Sequence, residues 1–405
     1  MTFFCPFPLS RRPQSRRALA LMLRNHAQRR RERRAWFCVA IATVLGMLVA
    51  SASSWASDWA TADGVGKATP ADPANVIGNA ACVKCHASEQ SVWASTPHAK
   101  TFDELHRRPE AAQIASKLGI TSIKHGDRCI ACHYTLQAET TLAGSLQASD
   151  LNSITTVSRH LGRTVNAHAI AGISCESCHG AARDWIDAHH DYGDAVTTRL
   201  TESPAHRESR IAKSVSLGMR NPHNVYLVAQ SCYRCHTTGD EELVNVGGHP
   251  AGSLDFEVVS WSQGTIHHNF VRTDGKQNVI SSPNRLRFLF VAGVIADTEA
   301  SFRALSKATE KANYAVTVAK RAARAGARLR SVADKVGDSR LAEAVTIFDS
   351  VAIKLNNADN LNTAADRLAE IGVDIAAAEA DTNERALQEK LILLDRFIPD
   401  AATWK

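Results

Sequence analysis

Between Ala81 and Phe270 the pattern Cys-x-x-Cys-His occurs four times: Cys82–Cys85–His86, Cys129–Cys132–His133, Cys175–Cys178–His179 and Cys232–Cys235–His236. This pentapeptide is the attachment signature of a c-type haem. Its chemistry explains its spacing: two thiols add across the two vinyl groups of one porphyrin, and the adjoining His reaches back to the iron as axial ligand. Structural zinc and disulfides are the competing readings. Zinc knuckles come in pairs and carry no obligatory His after the second Cys. The four repeats therefore imply four covalently attached haem c groups, with His86, His133, His179 and His236 as proximal iron ligands.

Cysteine usage supports this. Of ten cysteines, eight sit in the motifs, and Cys5 and Cys38 fall in the N-terminal leader. A hydrophobic content of 44% permits a real core, yet aromatic content is only 6%. Covalently held haems are expected to supply the missing apolar bulk in one half of the chain.

The leader carries ten Arg between Arg11 and Arg34, then an apolar run from Trp36 to Ala50 and a small-x-small site at Ser54-Trp55-Ala56. This reads as a signal peptide over residues 1–56, cleaved after Ala56. An uncleaved membrane anchor is the alternative, but the apolar run is short for a bilayer. The basic region is long enough that translation from Met22 is compatible with it. Export to the periplasm is also what haem ligation to this motif requires. Without residues 1–56, which hold ten Arg and the single acid Glu32, the net charge of +6 becomes −3, from 37 basic and 40 acidic groups. The basicity thus belongs to targeting and gives no reason to expect a nucleic-acid partner.

Residues 57–78 are rich in Ala, Asp, Gly and Pro and read as a flexible linker. From residue 79 to 283 the pattern is that of a haem-packed cytochrome domain with little regular sheet. Short helices are expected over Ser88–Leu105 and Pro109–Leu118, and a small hairpin over Ile154–Val165. The first cysteines of adjacent motifs are 47, 46 and 57 residues apart, enough to wrap one porphyrin and too little for an independent domain.

From residue 284 to 405 an antiparallel α-helical bundle is expected, making the whole chain mainly α. Ala315, Val318, Ala319, Ala322, Leu329, Val332 and Val336 share one helical face, and Gly337-Asp338 gives a stop and a fresh N-cap. Leu341, Ala344, Val345, Phe348, Val351 and Leu355 form the next stripe, followed by Leu361, Ala364, Leu368, Ile371, Ile375 and Ala378. Asp381-x-x-Glu384 resembles a capping box opening a last helix. Such stripes most often simply bury themselves, as a structural or oligomerisation module. Docking of a redox partner is the sharper alternative.

Function turns on the sixth position of each iron. A second His closes it for electron transfer, whereas an open position lets the iron bind a small molecule. Of 17 His, four are proximal and His26 is in the leader, leaving twelve candidates between His98 and His268. Two segments narrow the choice. Ala81-Cys-Val-Lys-Cys-His86, with Trp93 and Thr96-Pro-His98-Ala-Lys100, and Gly172-Ile-Ser-Cys-Glu-Ser-Cys-His-Gly180, with His189 ten residues beyond His179, resemble the first and third haem segments of the tetrahaem cytochrome c-554 family. The resemblance covers roughly residues 79–270. It implies that His98 serves the haem at His236, that His189 serves the haem at His86, and that a downstream His serves the third. His268 is the choice there, with His267 and His249 as rivals. It also implies an open iron at His133, which His125 would close only with awkward geometry. The long helical region after Pro283 departs from the short family members.

The leading expectation is a periplasmic electron carrier exchanging electrons with redox-protein donors and acceptors. The alternatives are a nitrogen-oxide reductase working at an open haem at His133, and a haem subunit of a membrane-attached redox complex, with the helical region as its assembly surface.

Overall fold

The computed structural model describes residues 68–138, 155–156 and 166–405. The expected signal peptide and most of the expected hairpin lie outside the described residues. Among the described residues the backbone is mainly helical, 59% helix against 3% strand. In chain order come α1 (Asn79–Cys82), α2 (Ala87–Ser95), α3 (Pro97–Glu104), α4 (Pro109–Lys117), α5 (Asp127–His133), β1 (Thr135–Ala138), β2 (Thr155–Thr156) and β3 (Asn166–Ala171). Then follow α6 (Cys175–His179), α7 (Pro204–Ser216), α8 (Val225–His236), α9 (Glu241–Asn245) and α10 (Val258–Ser262). Five more complete the chain: α11 (Pro283–Leu305), α12 (Asn313–Val336), α13 (Ser339–Ser350), α14 (Ala358–Ala377) and α15 (Arg385–Leu391). The strands form one antiparallel sheet in the order β1-β3-β2, and Thr155–Thr156 pairs with Ala167 and Asn166.

Three motifs end helices on their proximal His, at His133 in α5, His179 in α6 and His236 in α8. Residues three and four apart share a helical face, so each of these motifs presents two sulfurs and one imidazole together. The first motif bridges α1 and α2. The helix expected over Ser88–Leu105 is broken once, between α2 and α3. There the Thr96 side chain accepts from Ala99 N at 3.3 Å and Pro97 occupies the first helical position, a pairing that starts a new helix.

Packing is uneven along the chain. Around the second motif the core is small, built from Ala115, Ile123, Ile130 and Tyr134 with Phe102 and Leu105 packed against it. The large core lies further on and centres on α11, which is buried almost all round from Phe288 to Leu305, apolar from Phe288 to Ala296 and then carrying buried polar groups. It packs against α8, α12 and α14. One hydrophobic core therefore runs across residue 284, where the sequence places a domain boundary. Leu227, Tyr226 and Tyr233 of the fourth-motif helix join Phe288, Ile295, Leu329 and Leu368 in it. At Gly372 a Cβ would strike the Tyr226 ring, and at Gly326 the Phe348 ring; both glycines exist for close approach.

Gly337 ends α12 in the left-handed region at φ 61°, and Asp338 caps α13 by accepting from Arg340 N at 2.9 Å. Asp381 caps a short turn by accepting from Asn383 N at 2.8 Å, but Glu384 does not complete a capping box; it pairs instead with Arg340 at 3.0 Å. Among residues 68–78, the composition-based linker reading gives way to packing. Val76 is fully buried, Pro73 O accepts from Ala138 N at 2.8 Å, and Asn75 O accepts from Arg183 N at 2.9 Å.

A chain ending at residue 283 would expose Tyr226, Leu227, Tyr233, Val258 and Val259, all now buried, at a cost on the order of 1.5–3 kcal/mol for each large side chain. Such a truncation is expected to lose the far-ultraviolet signal and haem content of the fourth-motif region. A soluble truncation with full haem content would show the two halves to be independent.

Candidate haem-binding sites

The segments that hold the motifs are built to fix histidines. Glu176, inside the third motif, is 1% exposed and accepts from Ile77 N at 3.0 Å, Gly78 N at 2.8 Å and Ala182 N at 2.8 Å. Its carboxylate thereby stitches the segment before the first motif to the third. Ser174 and Ser177 form a capping box at the start of α6. Gly172 is required because a Cβ there would collide with the His98 carbonyl. Gly180, at φ +86°, lies against Gly218 O. On the other side, Trp93 Nε1 donates to Ile173 O at 2.7 Å and Ile173 N donates to His98 O at 3.1 Å. The first and third motif segments thus share one hydrogen-bonded frame, which carries His98 on the first turn of α3.

Each proximal His faces a second His from elsewhere in the chain. Ring centres are 6.4 Å apart for His86 and His189, and 6.3 Å apart for His236 with His98, His179 with His268, and His133 with His249. That gap is too wide for a direct hydrogen bond and too regular for accident. A metal–nitrogen bond of about 2 Å on each side, plus about 1 Å from each nitrogen to its ring centre, gives on the order of 6 Å. The spacing suits one iron between two imidazoles.

The orientation of the rings agrees. His179 Nδ1 faces Arg220 O at 3.3 Å, His249 Nδ1 faces Pro250 O at 2.8 Å, His268 Nδ1 faces Ile266 O at 2.6 Å, and His189 Nδ1 faces Ile186 O. A carbonyl only accepts, so in these four rings Nδ1 carries the proton and Nε2 is free to ligate, the arrangement that orients metal-bound imidazoles. Burial pushes His133, His179 and His236 down to about 4, helped by the neighbouring His of each pair. His98 and His189 are also lowered, chiefly by burial. These rings are neutral near pH 7, which is the ligating form.

The surroundings also fit a macrocycle. No group of three or more His, Cys, Asp or Glu able to hold a metal ion occurs among the described residues; the chain provides paired axial ligands, and a porphyrin brings its own four nitrogens. Buried polar atoms without a partner concentrate in this region: Asn79 Oδ1, Gln90 Oε1, Tyr134 OH, His168 Nδ1, Trp185 Nε1 and Trp261 Nε1 are among them. Buried groups are seldom left so; a porphyrin would add bulk, and its two propionates would accept from the donors among them, Tyr134 OH, His168 Nδ1, Trp185 Nε1 and Trp261 Nε1. Trp185 packs edge-on to His189, Trp261 packs edge-on to His236, and Phe256 stacks on His236 at 4.1 Å. The motifs approach one another in order. Cys82 and Cys175 are within thiol hydrogen-bond reach, as are Cys132 and Cys235, and Cys178 lies close enough to Cys232 to raise its thiol. The first motif therefore neighbours the third, the third the fourth, and the fourth the second.

Set against the sequence reading, the structure brings His189, His98 and His268 opposite His86, His236 and His179. It departs at the second motif. An open face at His133 was implied, yet His249 lies opposite. His125 is exposed in a turn and does not face His133. His267 is not the ring that meets His179, although its Nε2 is buried without a partner. The signal for His249 was the run Gly247-Gly248-His249-Pro250. Gly248 at φ +81° reverses the chain, and a Cβ at Gly247 would strike Leu243 O. Such a turn aims a histidine, but spacing alone does not say at which iron.

A histidine pair set beside two thiols of a CxxCH motif defines a c-type cytochrome, a class that carries electrons on covalently bound haem c. The family model for cytochrome c554 and c-prime matches residues 81–180, a segment that is thus similar to proteins of that kind. The match contains the first three motifs and His98. No curated protein and no solved structure matches the chain.

Replacing His249 with Ala should convert one low-spin haem to high-spin and create one carbon monoxide site in the reduced protein. His125→Ala and His267→Ala should leave all spin states unchanged. A high-spin signal from His125→Ala, with none from His249→Ala, would reverse the assignment.

Proposed function

We propose that the protein is a tetrahaem electron carrier of the periplasm, with all four irons six-coordinate between His86 and His189, His133 and His249, His179 and His268, and His236 and His98. The observation that carries this reading is the repeated spacing of 6.3–6.4 Å between paired imidazole rings. Haem bound there supplies a one-electron ferric/ferrous couple. The chain's own part is to fix both axial imidazoles as neutral donors and to keep the ring faces closed. It also keeps the four motifs next to one another, so that electrons entering at one end have neighbours to move to. Pro250, Ile266, Ile186 and Arg220 carbonyls hold four of the rings in register, and Trp185, Trp261 and Phe256 wall two of the pairs.

A reductase working at His133 needs a vacant face, and His249 stands on that face. The basic leader with its cleavage pattern supports export, and the partners of such a carrier are other redox proteins. No helix among the described residues is long and apolar enough to cross a membrane.

Intact-mass analysis of periplasmic material should give a chain starting near Ser57 that carries four haems. Carbon monoxide or nitric oxide added to the reduced wild-type protein should leave its spectrum unchanged. Stoichiometric gas binding at one haem with turnover would instead favour the reductase; fewer than four haems would refute the tetrahaem reading.

A further inference from the structure

Helix α11 is the most buried long helix among the described residues, yet it carries two carboxylates inside, Asp297 and Glu299, at 7% and 1% exposure. Isolated buried charge is costly, so each must be paired. Glu299 accepts from Tyr226 OH at 2.6 Å, from Gln230 Nε2 at 2.9 Å and from Arg303 Nε at 2.7 Å. Gln230 in turn accepts from the Arg220 guanidinium. Arg220 is itself buried and donates to Ser231 Oγ at 2.6 Å and to Leu227 O at 3.0 Å. Ser231 Oγ donates to Cys178 O at 3.0 Å, and Arg220 O accepts from His179 Nδ1. A continuous polar chain therefore runs from Glu299 to Cys178 and His179, the C-terminal end of the third motif.

Asp297 does the same on the neighbouring side. It accepts from Arg321 Nε at 2.8 Å, and Arg321, at 3% exposure, donates from Nη1 to Ser253 O at 2.6 Å. Ser253 N donates to His236 O at 3.3 Å. The Arg321 guanidinium also lies over the Tyr233 ring, three residues before His236, at 5.6 Å, and its Nη2 has no partner. Two buried arginines thus stand beside the proximal histidines of two adjacent motifs, each offset by a carboxylate from one helix.

We propose that these arginine–carboxylate sets tune the reduction potentials of two of the four haems, Arg220 with Glu299 at His179 and Arg321 with Asp297 at His236. The inference rests on the haem reading above and assigns the helical half of the chain an electrostatic role at the irons. A buried cation favours the ferrous state, which carries one positive charge fewer, and in a low-dielectric interior that preference is weakly screened. A buried anion opposes it. Both guanidinium groups connect to the histidine-bearing segments by hydrogen bonds: Arg220 through Ser231 Oγ, which donates to Cys178 O, and Arg321 through Ser253, whose N donates to His236 O. Arg220 and Arg321 are positioning residues here, since neither needs to touch iron.

The test is a potentiometric titration of the full-length holoprotein, with individual haems resolved by electron paramagnetic resonance. Arg220→Gln should shift the His179 haem at least tenfold toward ferric at fixed potential, a fall of about 59 mV for one electron. Glu299→Gln should shift that same haem in the opposite direction. Arg321→Gln and Asp297→Asn should produce the matching opposed pair at the His236 haem, while Arg220→Lys should stay near wild type. Haem count and melting temperature are read alongside: a wild-type protein short of four haems sinks the haem reading itself, whereas a fully loaded wild type whose folded variants keep its potentials sinks only the tuning. If an arginine variant does not fold, the near-isosteric Glu299→Gln and Asp297→Asn decide alone. Carboxylate variants that leave both potentials unmoved, or shift them in the same direction as the arginine variants, overturn the proposal.

Discussion

Everything around the four motifs depends on holding two imidazoles opposite one another, 6.3–6.4 Å apart between ring centres. Four such pairs are set by residues far apart in sequence, and the frame that sets them is largely backbone. Glu176 collects three amides from either side of two motifs. Carbonyls of Ile186, Arg220, Pro250 and Ile266 face Nδ1 of four rings. Burial lowers His133, His179 and His236, so their protonated forms do not compete with ligation near neutral pH.

The sequence made the proximal side legible because the chemistry is local: two thiols and an imidazole within five residues leave little freedom. It made the helical stripes legible for the same reason, since period and capping residues such as Asp338 act over a turn or two. The distal side is a tertiary property. His98, His189 and His268 came from resemblance, and the structure sets them opposite His236, His86 and His179. His249 escaped because the resemblance supplied no ligand for the second iron and the Gly247-Gly248 turn that aims it is a tertiary device. The continuity of the core past residue 284 escaped too. Stripes tell which face is buried, not what covers it, and here the cover for α11 includes the helix of the fourth motif.

That continuity changes what the C-terminal helices are for. Tyr226 and Tyr233 lie on the same helix as Cys232, Cys235 and His236, and they pack among residues of α11, α12 and α14. Gly372 and Gly326 are cut to admit aromatic rings. The helices also deliver buried charge to the third and fourth motifs through Arg321, Asp297 and Glu299. Haem environment and helical core are two sides of one packed body in this part of the chain.

The central claim is that every iron has two imidazole ligands, the second motif included. Electron paramagnetic resonance of the fully oxidised wild-type protein tests it most directly, because a five-coordinate ferric haem is high-spin and a bis-imidazole one is low-spin. The account predicts four low-spin haems and no high-spin component; a stoichiometric high-spin signal from one haem would contradict it.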